Sequence, residues 1–269
     1  MFRLLLKHDW KSIRGILGLL CLICVGAGLA GGVALRFFIT AVDQPEFSAF
    51  RTVLSMLTFM LCYIAVILCA AGTLYFCIWR FYKSRYADEG YMTFTLPATA
   101  HQILLSSLTA TLLAMLCATA AVLVSLGIVF SIGMTAVEDF YTNALQAFPS
   151  LLEAFRESFR QELGLFLNML VYAPVAVVSN VVIMMLSVTI GSIAVRKLKV
   201  LAAIGVYYGI NMVISIVITV IMLVAGLSAT NGSELLGSFF LYPTVLMAAL
   251  GIGAYFLMHW LASRKLNLP

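Results

Sequence analysis

Six long stretches of this chain contain no Asp, Glu, Lys or Arg: Gly15–Leu35, Thr52–Trp79, Gly90–Val137, Leu163–Val195, Val200–Ser233 and Leu235–Ser263. A helix that crosses the hydrocarbon of a bilayer needs about 20 mostly apolar residues. Every stretch is long enough to supply one. A single water-facing globule cannot hide six such runs. Composition agrees, with 63% of residues hydrophobic and 10% charged, where a soluble domain carries about 25% charged residues. The expected fold is therefore an all-α integral membrane protein. It is one domain over residues 1–269, with transmembrane helices near 16–40, 50–79, 102–134, 163–195, 200–227 and 238–261. The third span starts late because Tyr91–Pro97, reading YMTFTLP, is not span-like. Cytosolic enzymes, disordered chains and secreted disulfide scaffolds are excluded.

The charges set an orientation. The N-terminus, the loop near 80–101, the loop at 196–199 and the C-terminus fall on one side. They carry Arg3, Lys7, Lys11, Arg14, Arg80, Lys83, Arg85, Arg196, Lys197, Lys199, Arg264 and Lys265, 12 of the 16 basic residues. The other side holds Arg36, Arg51, Arg156 and Arg160, and 8 of the 11 acids. Cytoplasmic loops carry the excess of Lys and Arg, so the first set is expected inside, with both termini, in the cell inner (plasma) membrane. The net charge of +5 is then a topology signal, and no nucleic-acid partner is implied. The first apolar run is too long for the core of a signal peptide. It reads as a retained span, with cleavage after Gly-Leu-Ala-Gly-Gly as the alternative.

Cys21, Cys24, Cys62, Cys69, Cys77 and Cys117 all lie in apolar runs, where a thiol behaves as a small hydrophobe. No Cys/His cluster suggests a metal. Residues 2–14 place Phe2, Leu5, Leu6, Trp10 and Ile13 at helical spacing beside Arg3, Lys7, Lys11 and Arg14. That pattern reads as an N-terminal amphipathic elbow helix lying in the inner interface. On the outer side, Ser150 after Pro149, with Glu153 three residues on, reads as a capping box. It would open an extracytoplasmic interfacial helix whose apolar face is Leu152, Phe155, Phe159 and Leu163.

Segment 80–102, RFYKSRYADEGYMTFTLPATAHQ, carries the most information. Thr99-Ala-His-Gln102 is a capping box that can start the third span. Ahead of it, Asp88 and Glu89 lead a compact Tyr/Phe/Met-rich element. Exposed aromatics outside the membrane call for a partner surface. The other reading dips Tyr86, Tyr91 and Phe94 into the inner leaflet, and the residues alone leave both open.

The run FYKSRYADEGYMTFTLPATAHQILLSS, after a basic amphipathic N-terminus and two spans, resembles membrane subunits of bacterial ABC exporters. The class is the six-span permease of type 2 exporters, which move drugs, antibiotics and O-antigen. In that family an E-G-x-x-x-T-L-P-like segment of the first cytoplasmic loop forms a coupling helix. Here Glu89, Gly90, Thr95, Leu96 and Pro97 match it, with one extra residue before Thr95. Residues 4–15 resemble the family's elbow helix. The resemblance implies an ATPase-docking element of Asp88, Glu89, Gly90, Tyr91, Met92, Phe94, Thr95, Leu96 and Pro97. It also implies two partners besides membrane lipid: a separate P-loop ATPase, which carries ATP and Mg, and a second permease, the same or a homologous chain. No GxxxxGK[ST] occurs in this chain, so no nucleotide cofactor is expected on it.

No Asp, Glu or Lys falls mid-span, which argues against an ion-coupled transporter. Asn168, Tyr172, Asn180, Tyr207, Tyr208 and Asn211 are the notable polar residues there. Interhelical hydrogen bonding is the ordinary use of such groups. A substrate path through Asn168, Tyr172, Tyr207, Tyr208 and Asn211 is the functional alternative. Gly28-xxx-Gly32 and Gly205-xxx-Gly209 would allow close helix approach, and the dimer is expected to join through spans one and five. His8, His101 and His259 lie near the inner face but far apart in sequence, and no HExxH or GxSxG occurs. No catalytic residue is assigned. The expected function is the membrane subunit of an ATP-driven exporter of an amphipathic substrate, such as a peptide antibiotic, lipid or drug. A non-transporting sensor or scaffold, or an intramembrane enzyme, are the rival classes.

Overall fold

The computed structural model describes residues 2–43, 49–86, 99–137, 139–194, 198–228 and 232–264. These form seven α-helices and no strand: α1 (Phe2–Asp43), α2 (Ala49–Tyr86), α3 (Ala100–Met134), α4 (Phe140–Gln161), α5 (Leu163–Ala194), α6 (Lys199–Ser228) and α7 (Gly232–Arg264). All but α4 are long and apolar enough to cross a membrane. In hydrocarbon every backbone N–H and C=O must be satisfied within the segment, and a helix does that. The spans' hydroxyls follow the same rule. Thr58, Thr73, Thr119, Ser187 and Thr219 each donate to the carbonyl four residues earlier, on Leu54, Cys69, Met115, Ile183 and Ser215. Their polarity is spent inside the helix, so the outer surface stays apolar.

The chain divides into two compact units, with boundaries inside α2, α3 and α4 and one at the very start of α1. One unit spans Arg3–Cys77 and Thr109–Leu151. Its core joins Ile13 and Leu17 of α1, Cys77 of α2, and Ala110 and Ala114 of α3, with Leu6 and Trp10 packed on. Along the same pair of helices, Gly28 of α1 meets Ser125 of α3, whose hydroxyl donates to the Cys24 carbonyl at 3.1 Å. Gly32 lies against Val129 and Ile132. These small residues let α1 and α3 pack with little between their backbones.

Residues 2–14 are the first turns of one uninterrupted α1. The expected elbow helix is not a separate element. The amphipathic stripe is real, but Leu6, Trp10 and Ile13 turn it towards α2 and α3, while Arg3, Lys7, Lys11 and Arg14 are exposed. Nothing between Arg14 and Gly15 forces a break, because neither residue is a helix stop of the strength of proline.

The second unit holds Ile78–Leu108 and Leu152–Pro269. Here α5 packs on both α6 and α7. Gly191 of α5 faces Ala203 of α6 so closely that an added Cβ would lie 2.7 Å from the Ala203 Cα. Gly251 of α7 meets Ser179 of α5 in the same way. Phe155 and Phe159 of α4 stack at 6.2 Å, and both pack on Phe166 of α5. Three aromatic rings thus bridge the single turn residue, Glu162, between α4 and α5.

The expected cap at Ser150 is overturned. α4 begins ten residues earlier, at Phe140, and Pro149 sits inside it. The Asp139 carbonyl accepts from the Asn143 N–H at 2.9 Å and opens the helix, with Asp139 at φ 56°. Asp is one of the few residues that tolerates that left-handed backbone. The Ser150 hydroxyl instead donates to the Ala147 carbonyl at 2.8 Å. A proline was read as a boundary, whereas α4 carries it in mid-helix. The last helix begins at Gly232, and its membrane-crossing stretch, Phe239–Leu261, agrees with the span expected near 238–261.

Candidate functional site

The residues expected to dock an ATPase, Asp88 to Pro97, lie outside the described residues. The residues that flank it, Arg85 and Tyr86 on one side and Thr99 on the other, are described. On the α2 side Arg85 is only 3% exposed. Its guanidinium donates to the Ser107 hydroxyl at 2.7 Å and to the Ile103 carbonyl at 3.3 Å, both on α3. A buried guanidinium is costly unless hydrogen-bonded, so these bonds are a condition of the packing. The next residue, Tyr86, reaches α5: its hydroxyl lies 2.8 Å from Thr189 Oγ1. Thr189 already donates its own proton to the Met185 carbonyl, so Tyr86 is the donor. On the α3 side the Thr99 hydroxyl accepts the Gln102 N–H at 3.3 Å, the N-cap that the sequence indicates.

The polar residues expected along a substrate path do not converge on one point. Tyr207 of α6 donates to Asn180 Oδ1 of α5 at 3.0 Å, and Asn211 Nδ2 donates to the Tyr207 carbonyl. These are bonds within and between helices. Tyr172 packs its ring on Phe240 of α7. Asn168, one turn from Tyr172, is half-buried. Tyr208 is 68% exposed, edge-on to Tyr207. The structure therefore groups Tyr207, Asn211 and Asn180, and leaves Tyr208 on the outside of α6.

A second cluster went unrecognised in the sequence. His101 at the start of α3 meets the end of α7. The Tyr255 hydroxyl lies 2.6 Å from His101 Nδ1, and the His101 and His259 rings stand edge to face at 6.3 Å. From this cluster an open-sided groove of about 650 Å³ runs between α3, α5 and α7. Its walls are Leu105, Leu108, Val178, Val182, Ile252 and Phe256. The available signal was positional: charge alone put His101 and His259 at the same end of their spans.

Among the described residues, no group of three His, Cys, Asp or Glu could hold a metal ion. No disulfide links any of the six cysteines. Fold and site together define a multi-pass α-helical membrane protein with six helices able to cross the bilayer. Compared with protein-family models, curated proteins and solved structures, the chain matches none.

Proposed function

We propose that this chain is the membrane-spanning subunit of an ATP-driven exporter of the ABC type, working beside a separate P-loop ATPase and a second permease. Residues 88–97 would dock the ATPase at the cytoplasmic face. The observation that supports this reading most is the anchoring of the end of α2 that leads into that segment. Arg85 is bonded to Ser107 and Ile103, and Tyr86 to Thr189. A push on the segment would therefore reach α3 and α5 through buried hydrogen bonds rather than be lost in a slack loop. Such bonds are directional, and breaking them in a low-dielectric setting is expensive. ATP closure of the partner would move the segment, and α3 and α5 would move with it. In this reading α4 lies in the outer interface, and the cargo is amphipathic, consistent with spans that hold no mid-span Asp, Glu or Lys.

Co-purification tests the docking half of this hypothesis. Glu89→Ala with Tyr91→Ala should leave the chain folded and abolish capture of a P-loop ATPase, because aromatic anchors carry most of such an interface. Unchanged capture rejects the assignment. Tyr86→Phe tests the transmission half. It should still capture the ATPase but lose the stimulation of ATP hydrolysis by cargo. Full stimulation in that variant means that the Tyr86–Thr189 bond transmits nothing.

A further inference from the structure

We propose that α4 is seated in the interface of one lipid leaflet by apolar insertion alone, so that its seat depends on how tightly the lipids pack and not on their charge. None of the residues of α4 is buried. Its apolar face is a single stripe, Tyr141, Leu145, Phe148, Leu152, Phe155 and Phe159, at steps of four, three, four, three and four residues. Such steps keep to one face of a helix, and all six side chains are exposed. Both ends of α4 are tied to spans. Phe140 stands edge to face with Phe130 of α3 at 5.8 Å, and the Tyr141 hydroxyl donates to the Ser131 carbonyl. At the other end Phe155 and Phe159 pack on Phe166 of α5. α3 and α5 are both long and apolar enough to cross the membrane. No crossing helix lies between them in the chain, so these ties sit at the same face of the bilayer. With 22 residues, α4 is about 33 Å long at 1.5 Å per residue. A rod of that length, pinned at both ends, lies along the membrane and not away from it.

Lipid is what such a stripe meets. Leu163, Leu167 and Leu170 take it up beyond Glu162, and they are exposed on a helix able to cross the hydrocarbon. What surrounds the spans therefore also borders α4. The opposite face is polar and stays in water, with Thr142, Asn143, Gln146 and Ser150 followed by Glu153 and Glu157. Pro149 fits this depth. It has no N–H for the Leu145 carbonyl, a loss that water makes good at the interface but not in hydrocarbon. Charge then decides the kind of lipid surface. An interfacial helix is held by its buried apolar area and, where it is basic, by anionic lipid. α4 has no charged residue from Phe140 to Leu152, and beyond that Glu153 and Glu157 are cancelled by Arg156 and Arg160. Only apolar insertion is left, and it needs room between headgroups, which loosely packed lipid supplies. A change in the depth of α4 would reach α3 at Phe130 and α5 at Phe166, where its ends are tied.

The seat stands on the stripe and its ties, and only the assignment to the outer leaflet rests on the export reading. The experiment contains no ATPase and does not read the leaflet, so its failure and the failure of that reading are separate results. The full chain, on a background without native cysteines, carries a nitrobenzoxadiazole label at Phe148→Cys or, on the polar face, at Gln146→Cys. It is placed in dioleoylphosphatidylcholine nanodiscs. The label at Phe148→Cys is expected to be quenched by a lipid with a nitroxide high on its chain and spared by aqueous iodide. The label at Gln146→Cys should behave in the reverse way. Exchanging part of the phosphatidylcholine for phosphatidylglycerol, or adding salt, should leave the lipid quenching unchanged, as should Arg156→Gln with Arg160→Gln. Tightening the bilayer with cholesterol should lower it about twofold or more, because such insertion is sensitive to lipid composition. Leu145→Ser with Leu152→Ser removes apolar area at exposed positions and should lower it as well. Four results would overturn the proposal. Equal access of iodide to both labels puts the stripe in water. Quenching that rises with phosphatidylglycerol and falls with salt makes the contact electrostatic. Quenching indifferent to cholesterol removes the dependence on packing. Lipid quenching lost when two copies share a disc, with cross-links between them through Phe148→Cys, makes the stripe a protein contact.

Discussion

At the scale of single residues, two glycines of α1 only two positions apart have opposite surroundings. Gly28 is buried against Ser125, and an added Cβ would lie 3.0 Å from the Ser125 Cα, with the hydroxyl closer still. Ser125 is fully buried and its hydroxyl is bonded to the Cys24 carbonyl, so it has no easy retreat. Gly26 has nothing within 4 Å. Gly28→Ala should therefore destabilise by about 1–3 kcal/mol, the usual result of overpacking. Gly26→Ala should be neutral or mildly stabilising, since alanine holds a helix better than glycine. Thermal unfolding of the two variants in the same detergent checks this, and equal midpoints would mean that α1 and α3 are not in the contact described. Arg85 teaches the same lesson for charge. It ends α2 among Lys83, Tyr82 and Tyr86, and looks like one more basic residue of a topology signal. Its burial and its bonds to Ser107 and Ile103 make it a structural tie as well.

At the scale of elements, the helices differ in how much of their surface is already used. α1 spends Gly28, Gly31 and Gly32 on contacts with Cys62, Ser125, Val129 and Ile132 inside this chain. That part of span one, expected to help join two permeases, is occupied within this chain, while Gly15, Gly18 and Gly26 of the same helix have nothing within 4 Å. α6 is different. Gly205 and Gly209 have nothing within 4 Å, and Tyr208, Met212, Val213 and Ile216 beside them are exposed. Without a hydrophobic drive in lipid, close van der Waals contact is what joins helices. If a second permease pairs with this chain, the Gly205 and Gly209 face of α6 is open to it. Gly205→Leu with Gly209→Leu should leave the monomer folded, because neither side chain meets a neighbour. It should weaken the dimer at least several-fold. Zero-length cross-linking in native membranes reads this out. An unchanged dimer band removes α6 from the interface.

At the scale of the whole molecule, the expected topology is a statement about six helices at once. Lys83 is exposed at the end of α2, and the skew of basic residues predicts that it faces the cytoplasm. A cysteine at this position, on a background without native cysteines, should react with a membrane-impermeant maleimide only after the membrane is opened. A cysteine at Glu157, exposed on α4, should react in intact cells. The reverse pattern would invert the topology, and would put residues 88–97 where no cytoplasmic ATPase could reach them.

The number of spans and their approximate ends were legible in the sequence. The expected spans near 102–134 and 163–195 became α3 and α5 to within two residues at either end. The reason is physical. Transfer into hydrocarbon depends on each segment's own composition, so a span declares itself without its neighbours. The amphipathic start of α1 was also readable, but what its apolar face touches was not. Leu6 and Trp10 could lie on lipid or on protein, and periodicity is the same in both cases. The site was less legible still. His101 and His259 stand far apart in the chain, and only the packing of α5 against α7 sets the α7 end beside the α3 start. The same holds for Tyr86 and Thr189. Lateral packing in a membrane turns on side-chain shape and a few hydrogen bonds rather than on apolarity. Every face of a span is apolar, so hydropathy cannot choose among them. Which glycine is filled and which is open, and which hydroxyl meets which, was decided by the tertiary structure.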